Sequence, residues 1–272
     1  MTQRINKDTR LCISLAARPS NVSTRFHNFL YEELGLDFVY KAFTTEDLPA
    51  AIAGIRALGI RGCGISMPYK ERCIAFLDAL APSAEALQAV NTIVNDDGNL
   101  RGHNTDYIAV ATLLEQYAVP KSMPFVLLGS GGMAKAVAGA LRDTGFRDGI
   151  ILARNETTGR PLAQANGYEW RSELGDARPG LLINATPIGM IGGPQATTLA
   201  WDPAVIDQAE VVLEVVAVPP ETPLIQYARA AGKPVITGAE VVTLQAVEQF
   251  ALYTGVRPTA EQVRRASEHA RS

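Results

Sequence analysis

The densest chemical signal in the chain is a glycine-rich turn. Gly129-Ser130-Gly131-Gly132-Met133-Ala134 fits G-x-G-x-x-[G/A], between an apolar run (Pro124–Leu128) and an Ala-rich segment of helical character (Met133–Arg142). Glycines there let the backbone turn sharply and approach a pyrophosphate, and the N-terminus of the following helix favours the negative charge. A preceding strand and a following helix separate such a turn from an ordinary tight connection. The next apolar run, Gly149–Ala153, ends in Arg154-Asn155. An NAD site is expected to carry an acid there for the ribose 2′-hydroxyl, whereas arginine suits a 2′-phosphate. The pattern leans to NADP over NAD, with Glu156 the nearby charge that opposes it.

A second group of residues lies earlier in the chain. Ile65-Ser66-Met67-Pro68-Tyr69-Lys70 joins a strand end to an expected helix start, and ligands of open α/β sheets bind at carboxyl ends of strands. A lysine there can hold a hydroxyl or carbonyl oxygen and exchange a proton with it; the plain alternative is a surface lysine. Val90-Asn91-Thr92 and His103-Asn104-Thr105-Asp106 flank a hairpin dipeptide, Asp97-Gly98. Taken singly, both Asn-Thr pairs read as turn or capping elements, and Asp106 reads as the N-cap of a helix running to Gln116.

These residues need a scaffold of alternating elements. Leu11–Leu15, Val39–Phe43 and Arg61–Ile65 read as strands, separated by segments of helical period from Ser23 to Leu34 and from a capping box at Thr44-Thr45-Glu46-Asp47 to Ala57. The hairpin reads as an edge of this first domain. Leu181–Asn184, Val211–Val216 and Pro234–Ile236 are further buried strands, and Val241–Tyr253 and Thr259–Ala270 are closing helices. The fold class is α/β in two domains, the first with mainly parallel βαβ units and the second Rossmann-like.

The bulk composition agrees. The 272 residues suit two domains; 47% are hydrophobic and 19% charged, as in a globular protein. A net charge of −3 gives nucleic-acid binding no support. Three cysteines without C-x-x-C spacing indicate neither a disulfide framework nor a zinc site, and no metal is expected. No apolar run is long enough to span a membrane, and a cytoplasmic enzyme is the simplest expectation.

The motifs, in order, resemble the shikimate dehydrogenase family. They are Ser20 and Ser23, Ser66-Met67-Pro68-Tyr69-Lys70-Glu71, Val90-Asn91-Thr92, Asn104-Thr105-Asp106, Gly129-x-Gly131-Gly132, Asn184-Ala185-Thr186-x-x-Gly189 and Gln245. The resemblance implies reversible NADPH-dependent reduction of 3-dehydroshikimate to shikimate, within chorismate and aromatic amino acid biosynthesis. It implies a substrate domain over 1–120, an NADP-binding domain over 121–238, and C-terminal helices over 239–272 that return to the first domain. Lys70 and Asp106 are then the catalytic pair. Asn91, Gln245, Ser66, Ser20 and Ser23 face the substrate, the two serines near its carboxylate. Gly129, Ser130, Gly131, Gly132, Met133, Ala134, Arg154, Asn155, Thr186 and Gly238 face the cofactor.

Three departures resemble the divergent shikimate dehydrogenase-like branch. The usual Ser-x-Ser-Pro-x-x-His reads Ser20-Asn21-Val22-Ser23-Thr24-Arg25-Phe26-His27. Ser66-Met67-Pro68 stands for Val-Thr-x-Pro, and Glu214-Val215-Val216-Ala217 stands for Asp-x-x-Tyr. They imply slower shikimate turnover, with quinate or an amino analogue as other substrates. An inactive metabolite-sensing relative is the reading from another class; retention of both Lys70 and Asp106 counts against it. The sequence carries no signal for oligomeric state.

Overall fold

Runs of β-branched and aromatic residues broken by Gly, Pro and Asp produce short strands joined by helices. A computed structural model describes residues 5–271. The order is β1 (Arg10–Leu15), α1 (Val22–Glu33), β2 (Phe38–Phe43), α2 (Leu48–Ala57), β3 (Gly62–Ile65), a 3-10 turn (Ile74–Phe76), β4 (Ala79–Leu80), α3 (Pro82–Glu85), β5 (Thr92–Asp96), β6 (Asn99–His103) and α4 (Thr105–Gln116). Then follow β7 (Phe125–Leu128), α5 (Gly132–Thr144), β8 (Gly149–Leu152), α6 (Glu156–Asn166), β9 (Glu169–Arg171), β10 (Leu181–Asn184), α7 (Pro203–Gln208), β11 (Val211–Glu214), α8 (Pro223–Ala230), β12 (Val235–Ile236), α9 (Gly238–Thr254) and α10 (Ala260–Arg271).

Two compact units result: residues up to 105 together with 243 onward, and residues 106–242. The first unit holds a mixed sheet in the order β2-β1-β3-β5-β6-β4. β1 pairs in parallel with β2 and β3, whereas β5 runs antiparallel to β3 and β6. The hairpin turns at Asp97 (φ 51°) and Gly98 (φ 90°), the positive-φ pair a two-residue hairpin needs. It is not the sheet edge: the two-residue β4 pairs with β6 outside it. The segment after Lys70 is not the expected helix but a run of turns that leads into the 3-10 turn. Asp47, rather than Thr44, caps α2, accepting from Ala50 N at 3.0 Å.

One face of this sheet packs on α2, with Ile52, Ile55, Cys63, Val90 and Ile93 buried together. The C-terminal helices pack against the same unit: Ala246, Val247 and Phe250 of α9 and Ala266 of α10 share a cluster with Phe26, Leu30, Tyr31 and Tyr40. Arg265 of α10 reaches Glu33 of α1 at 2.6 Å. Within this cluster His27 lies fully buried, stacked on Tyr40 at 4.3 Å, with Nδ1–H donating to Ser23 O at 2.9 Å.

Burial pushes the His27 pKa down to about 4, only partly opposed by the Ser23 bond. An unfolded chain therefore binds a proton that the native state refuses between about pH 6.5 and 4. The neutral imidazole's contribution is complete above pH 6.5 and is lost as pH falls toward 4, by ~3 kcal/mol in all, at ~1.4 kcal/mol per pKa unit. His27→Phe is expected to narrow the drop in unfolding free energy between pH 7 and 5. Equal drops in the two proteins, measured by denaturant titration, would contradict the assignment.

The second unit holds an all-parallel sheet in the order β12-β11-β10-β7-β8-β9. Read from β9 this is 3-2-1-4-5-6, the doubly wound order that reverses between its first and fourth strands, here β7 and β10. Its core gathers Val126, Leu182, Ile206, Val212, Leu224 and Ile225. The three-residue β9, absent from the sequence reading, covers the edge beyond β8.

Candidate active site

The glycine turn lies where the strand order reverses. Gly129 follows β7 with φ +121°, a conformation that L side chains rarely adopt, and a Cβ there would stand 3.0 Å from Ala185 O at the end of β10. Gly131 is the N-cap residue of α5, and neither it nor Gly132 would bring a Cβ within 4 Å of anything. That open ground before a helix N-terminus suits a pyrophosphate. Ala134 is buried and Met133 half-buried in the first turn of α5. Ser130 Oγ lies 2.7 Å from Thr158 Oγ1, tying the turn to α6.

At the end of β8 Arg154 and Asn155 part in role. Asn155 caps α6, its Oδ1 accepting from Thr157 N at 3.0 Å and Thr157 Oγ1 at 2.6 Å. Arg154 is exposed and has no ion pair among the described residues. Glu156, which the sequence set against a phosphate, is engaged by Arg160 at 2.7 Å one turn along α6. Arg160 in turn stacks 4.6 Å over the Trp170 ring.

Thr186 belongs to a buried lattice that the sequence did not reveal. Its N–H and hydroxyl donate to Asn184 Oδ1 at 3.0 and 2.6 Å, while Asn184 Nδ2 donates to Glu214 Oε1 at 2.9 Å. Glu214 also accepts from Val216 N at 2.9 Å and Thr222 Oγ1 at 3.2 Å. Burial pushes the Glu214 pKa up to about 7, with these donors pulling the other way. The lattice fixes the loops after β10 and β11 to each other. Gly238 opens α9 so close to the strand end that a Cβ would stand 2.4 Å from Val216 C and O.

In the first unit Ser66 follows β3 directly and is exposed, its N–H donating to Leu15 O at 3.0 Å. Lys70, half-buried, sits four residues further on, its carbonyl accepting Val90 N–H at 2.8 Å. Tyr69 anchors the same turn through its hydroxyl to Thr45 O at 2.7 Å. Ser20 is exposed in the loop before α1, and Ser23 lies in the first turn of that helix. The N-cap residue Asn21 makes no side-chain cap bond, and an anion is favoured at such a terminus.

Asn91 is 2% exposed and bonds across the sheet to the start of α4. Its Oδ1 accepts Thr105 N–H at 2.8 Å and its Nδ2 donates to Thr105 Oγ1 at 2.9 Å. Thr105 Oγ1 reaches Gln245 Oε1 at 3.4 Å, so Asn91, Thr105 and Gln245 form one group. Because Thr105 is the first residue of α4, Asp106 is not its N-cap but a buried member of its first turn. A carboxylate there is favoured by the helix dipole. Among the described residues no group of three or more His, Cys, Asp or Glu side chains could hold a metal, and no helix is long and apolar enough to cross a membrane.

Comparison with known proteins decides the lineage. The profile of the shikimate dehydrogenase substrate binding domain matches residues 18–93. A shikimate dehydrogenase-like protein of Haemophilus influenzae is 54% identical over 268 residues, covering 98% of this chain and 99% of its own. The chain belongs to the shikimate dehydrogenase family. A solved shikimate 5-dehydrogenase of Thermus thermophilus, in complex with NADP(H) and shikimate, superposes with TM-score 0.86 at 30% identity, covering 96% of this chain and 99% of that one. A quinate dehydrogenase of Corynebacterium glutamicum in complex with NAD has TM-score 0.86 at 29% identity, covering 96% and 98%. Shikimate dehydrogenase family relatives thus bind either nicotinamide cofactor.

Proposed function

We propose that this protein is an NADP-dependent dehydrogenase that interconverts shikimate and 3-dehydroshikimate, or a close pair of ring hydroxy acid and ketone, in the cytoplasm. The observation that carries the reading is a lysine just past β3 and an aspartate in the first turn of α4, in a chain that matches its relatives over nearly their whole length. The open ground at Gly131 and Gly132 and the exposed Arg154 fit a dinucleotide with a 2′-phosphate.

The nicotinamide supplies the acceptor for the hydride. Lys70 holds the reacting hydroxyl and takes its proton as the alkoxide develops. Asp106 hydrogen-bonds the same hydroxyl and keeps Lys70 positioned. Asn91 and Gln245 hold other ring hydroxyls. Ser20, Ser23 and the first-turn N–H groups of α1 receive the carboxylate. Ser66 flanks the ring. Thr186 and Gly238 border the cofactor through the lattice around Glu214.

Steady-state oxidation of shikimate, quinate and aminoshikimate, each with NADP and NAD, tests the reading. Turnover of shikimate with NADP is expected. Arg154→Ala is expected to raise KM for NADP about tenfold to a hundredfold, the worth of one charge-assisted contact, and to leave KM for NAD nearly unchanged. Equal effects on both cofactors would contradict the role of Arg154.

A second reading, quinate oxidation with NAD, is favoured by one feature. Ala217 stands where the family's tyrosine is expected, which removes a hydroxyl and leaves more room. The same panel separates the two.

A further inference from the structure

α9 carries two glutamines one turn apart, Gln245 and Gln249, so their side chains leave the same face of the helix. Gln249 is 4% exposed. Its Nε2 donates to Thr92 Oγ1 at 3.0 Å and to Asn91 O at 3.3 Å, which uses both amide protons. The Thr92 hydroxyl, already accepting from Gln249, has one proton and gives it to Asn91 Oδ1 at 2.8 Å.

Asn91 Oδ1 also takes the backbone N–H of Thr105 at 2.8 Å. A backbone N–H only donates, so this end of the Asn91 amide is the oxygen and the other end is the NH2 group. Nδ2 donates to Thr105 Oγ1 at 2.9 Å. The Thr105 proton has three acceptors in reach, Asn91 Oδ1 at 3.1 Å, Gln245 Oε1 at 3.4 Å and Thr92 Oγ1 at 3.4 Å. Asn91 Oδ1 already receives two protons and Thr92 Oγ1 already accepts one from Gln249, so Gln245 Oε1 is the acceptor that none of these bonds has used. The bonds run in one direction, from Gln249 through Thr92, Asn91 and Thr105 to Gln245.

We infer that Gln249 is a positioning residue that holds Asn91 as a hydrogen-bond donor toward the ligand, so that the site selects a ring hydroxyl over an ammonium group at the position Asn91 meets. One Nδ2 proton goes to Thr105, and the second is what Asn91 can offer. A hydroxyl has lone pairs to receive it; a protonated amine has none, and two donors then face each other. The inference rests on the proposed function for the identity of the ligand, but the relay stands on its own bonds.

The test uses Gln249→Met, which keeps the side-chain volume and removes both donors, with Thr92→Ser as the variant that keeps the hydroxyl. In Gln249→Met the shikimate KM is expected to rise about tenfold while kcat and KM for NADP stay within about twofold, the scale of one lost buried hydrogen bond. The preference for shikimate over aminoshikimate narrows, and the Asn91 side-chain amide protons, followed by NMR, exchange about tenfold faster. Thr92→Ser keeps wild-type behaviour. A folded Gln249→Met with wild-type KM and wild-type Asn91 exchange overturns the inference. Should Gln249→Met fail to fold, Thr92→Val cuts the relay one bond further on and is read in the same way. If the wild-type protein oxidises none of the ring acids, the proposed function fails, and the exchange of the Asn91 amide alone decides the relay.

Discussion

Replacing Lys70 with alanine is expected to lower kcat/KM for ring-alcohol oxidation about a hundredfold to ten-thousandfold, the usual weight of a positioned proton-transfer group. The loss should fall mainly on kcat, because the proton leaves only as the hydride does. The fold should not suffer. The turn that carries Lys70 is held by backbone and by its neighbours, through Val90 N–H to Lys70 O at 2.8 Å and Tyr69 to Thr45 O at 2.7 Å, and these survive the substitution. Lys70→Arg should not restore turnover, since a guanidinium keeps its proton at any working pH. Near-wild-type kcat in a folded Lys70→Ala protein, measured at saturating NADP, would remove Lys70 from the chemistry.

The second large effect separates two glycines of the second unit. At Gly238 a Cβ would stand 2.4 Å from Val216 C and O, which are backbone atoms and cannot swing aside. Gly238→Ala must therefore displace the start of α9 from the strand end. A cost of about 3 kcal/mol is expected, the upper range for overpacking, or roughly 6–12 °C in Tm for a domain of this size. At Gly131, with φ −82° and nothing within 4 Å, the fold has no objection to a methyl group. Gly131→Ala should keep the wild-type Tm and raise KM for NADP, because the methyl occupies the approach to the pyrophosphate. Thermal unfolding beside cofactor titration reads both. A stable Gly238→Ala protein, or a Gly131→Ala protein with unchanged NADP binding, would count against the assigned contacts.

Much of the fold is legible in the sequence. β10, Leu181–Asn184, three apolar residues and an asparagine, has the bounds expected of it, and Asp97-Gly98 turns the hairpin as such a pair should. The glycine turn follows a strand and opens a helix, the local context that gives the motif its meaning. These features are written in adjacent residues. Features that depend on distant pairing were not legible. β4 and β9, of two and three residues, are too short to show a period and exist because β6 and β8 offer them an edge. Asn104-Thr105-Asp106 offers three residues that can cap a helix, and local rules favoured Asp106. The first N–H of α4 is instead satisfied by Asn91 Oδ1, fourteen residues earlier in the chain.

The same distinction runs through the site. Lys70, Asp106 and Asn91 stand out through short motifs that, in order, resemble the family's, and Gln245 through its place after them. Gln249 did not, although it makes two bonds to the Asn91-Thr92 pair. Its role needs the register between α9 and β5, which no local pattern encodes. Glu214 entered the sequence reading only as a departure from an expected aspartate. Buried with Asn184, Thr222 and Val216 as donors, it holds the loops that follow β10 and β11. A single residue type at one position carries no trace of those partners.

The dehydrogenase reading is tested by the appearance of reduced nicotinamide, followed at its absorbance band, when purified protein meets shikimate and NADP. Reduction of NADP is expected in the wild-type protein, and its near-abolition in Lys70→Ala. No reduction of NADP or NAD by shikimate, quinate or aminoshikimate, in a protein shown to be folded, would contradict it.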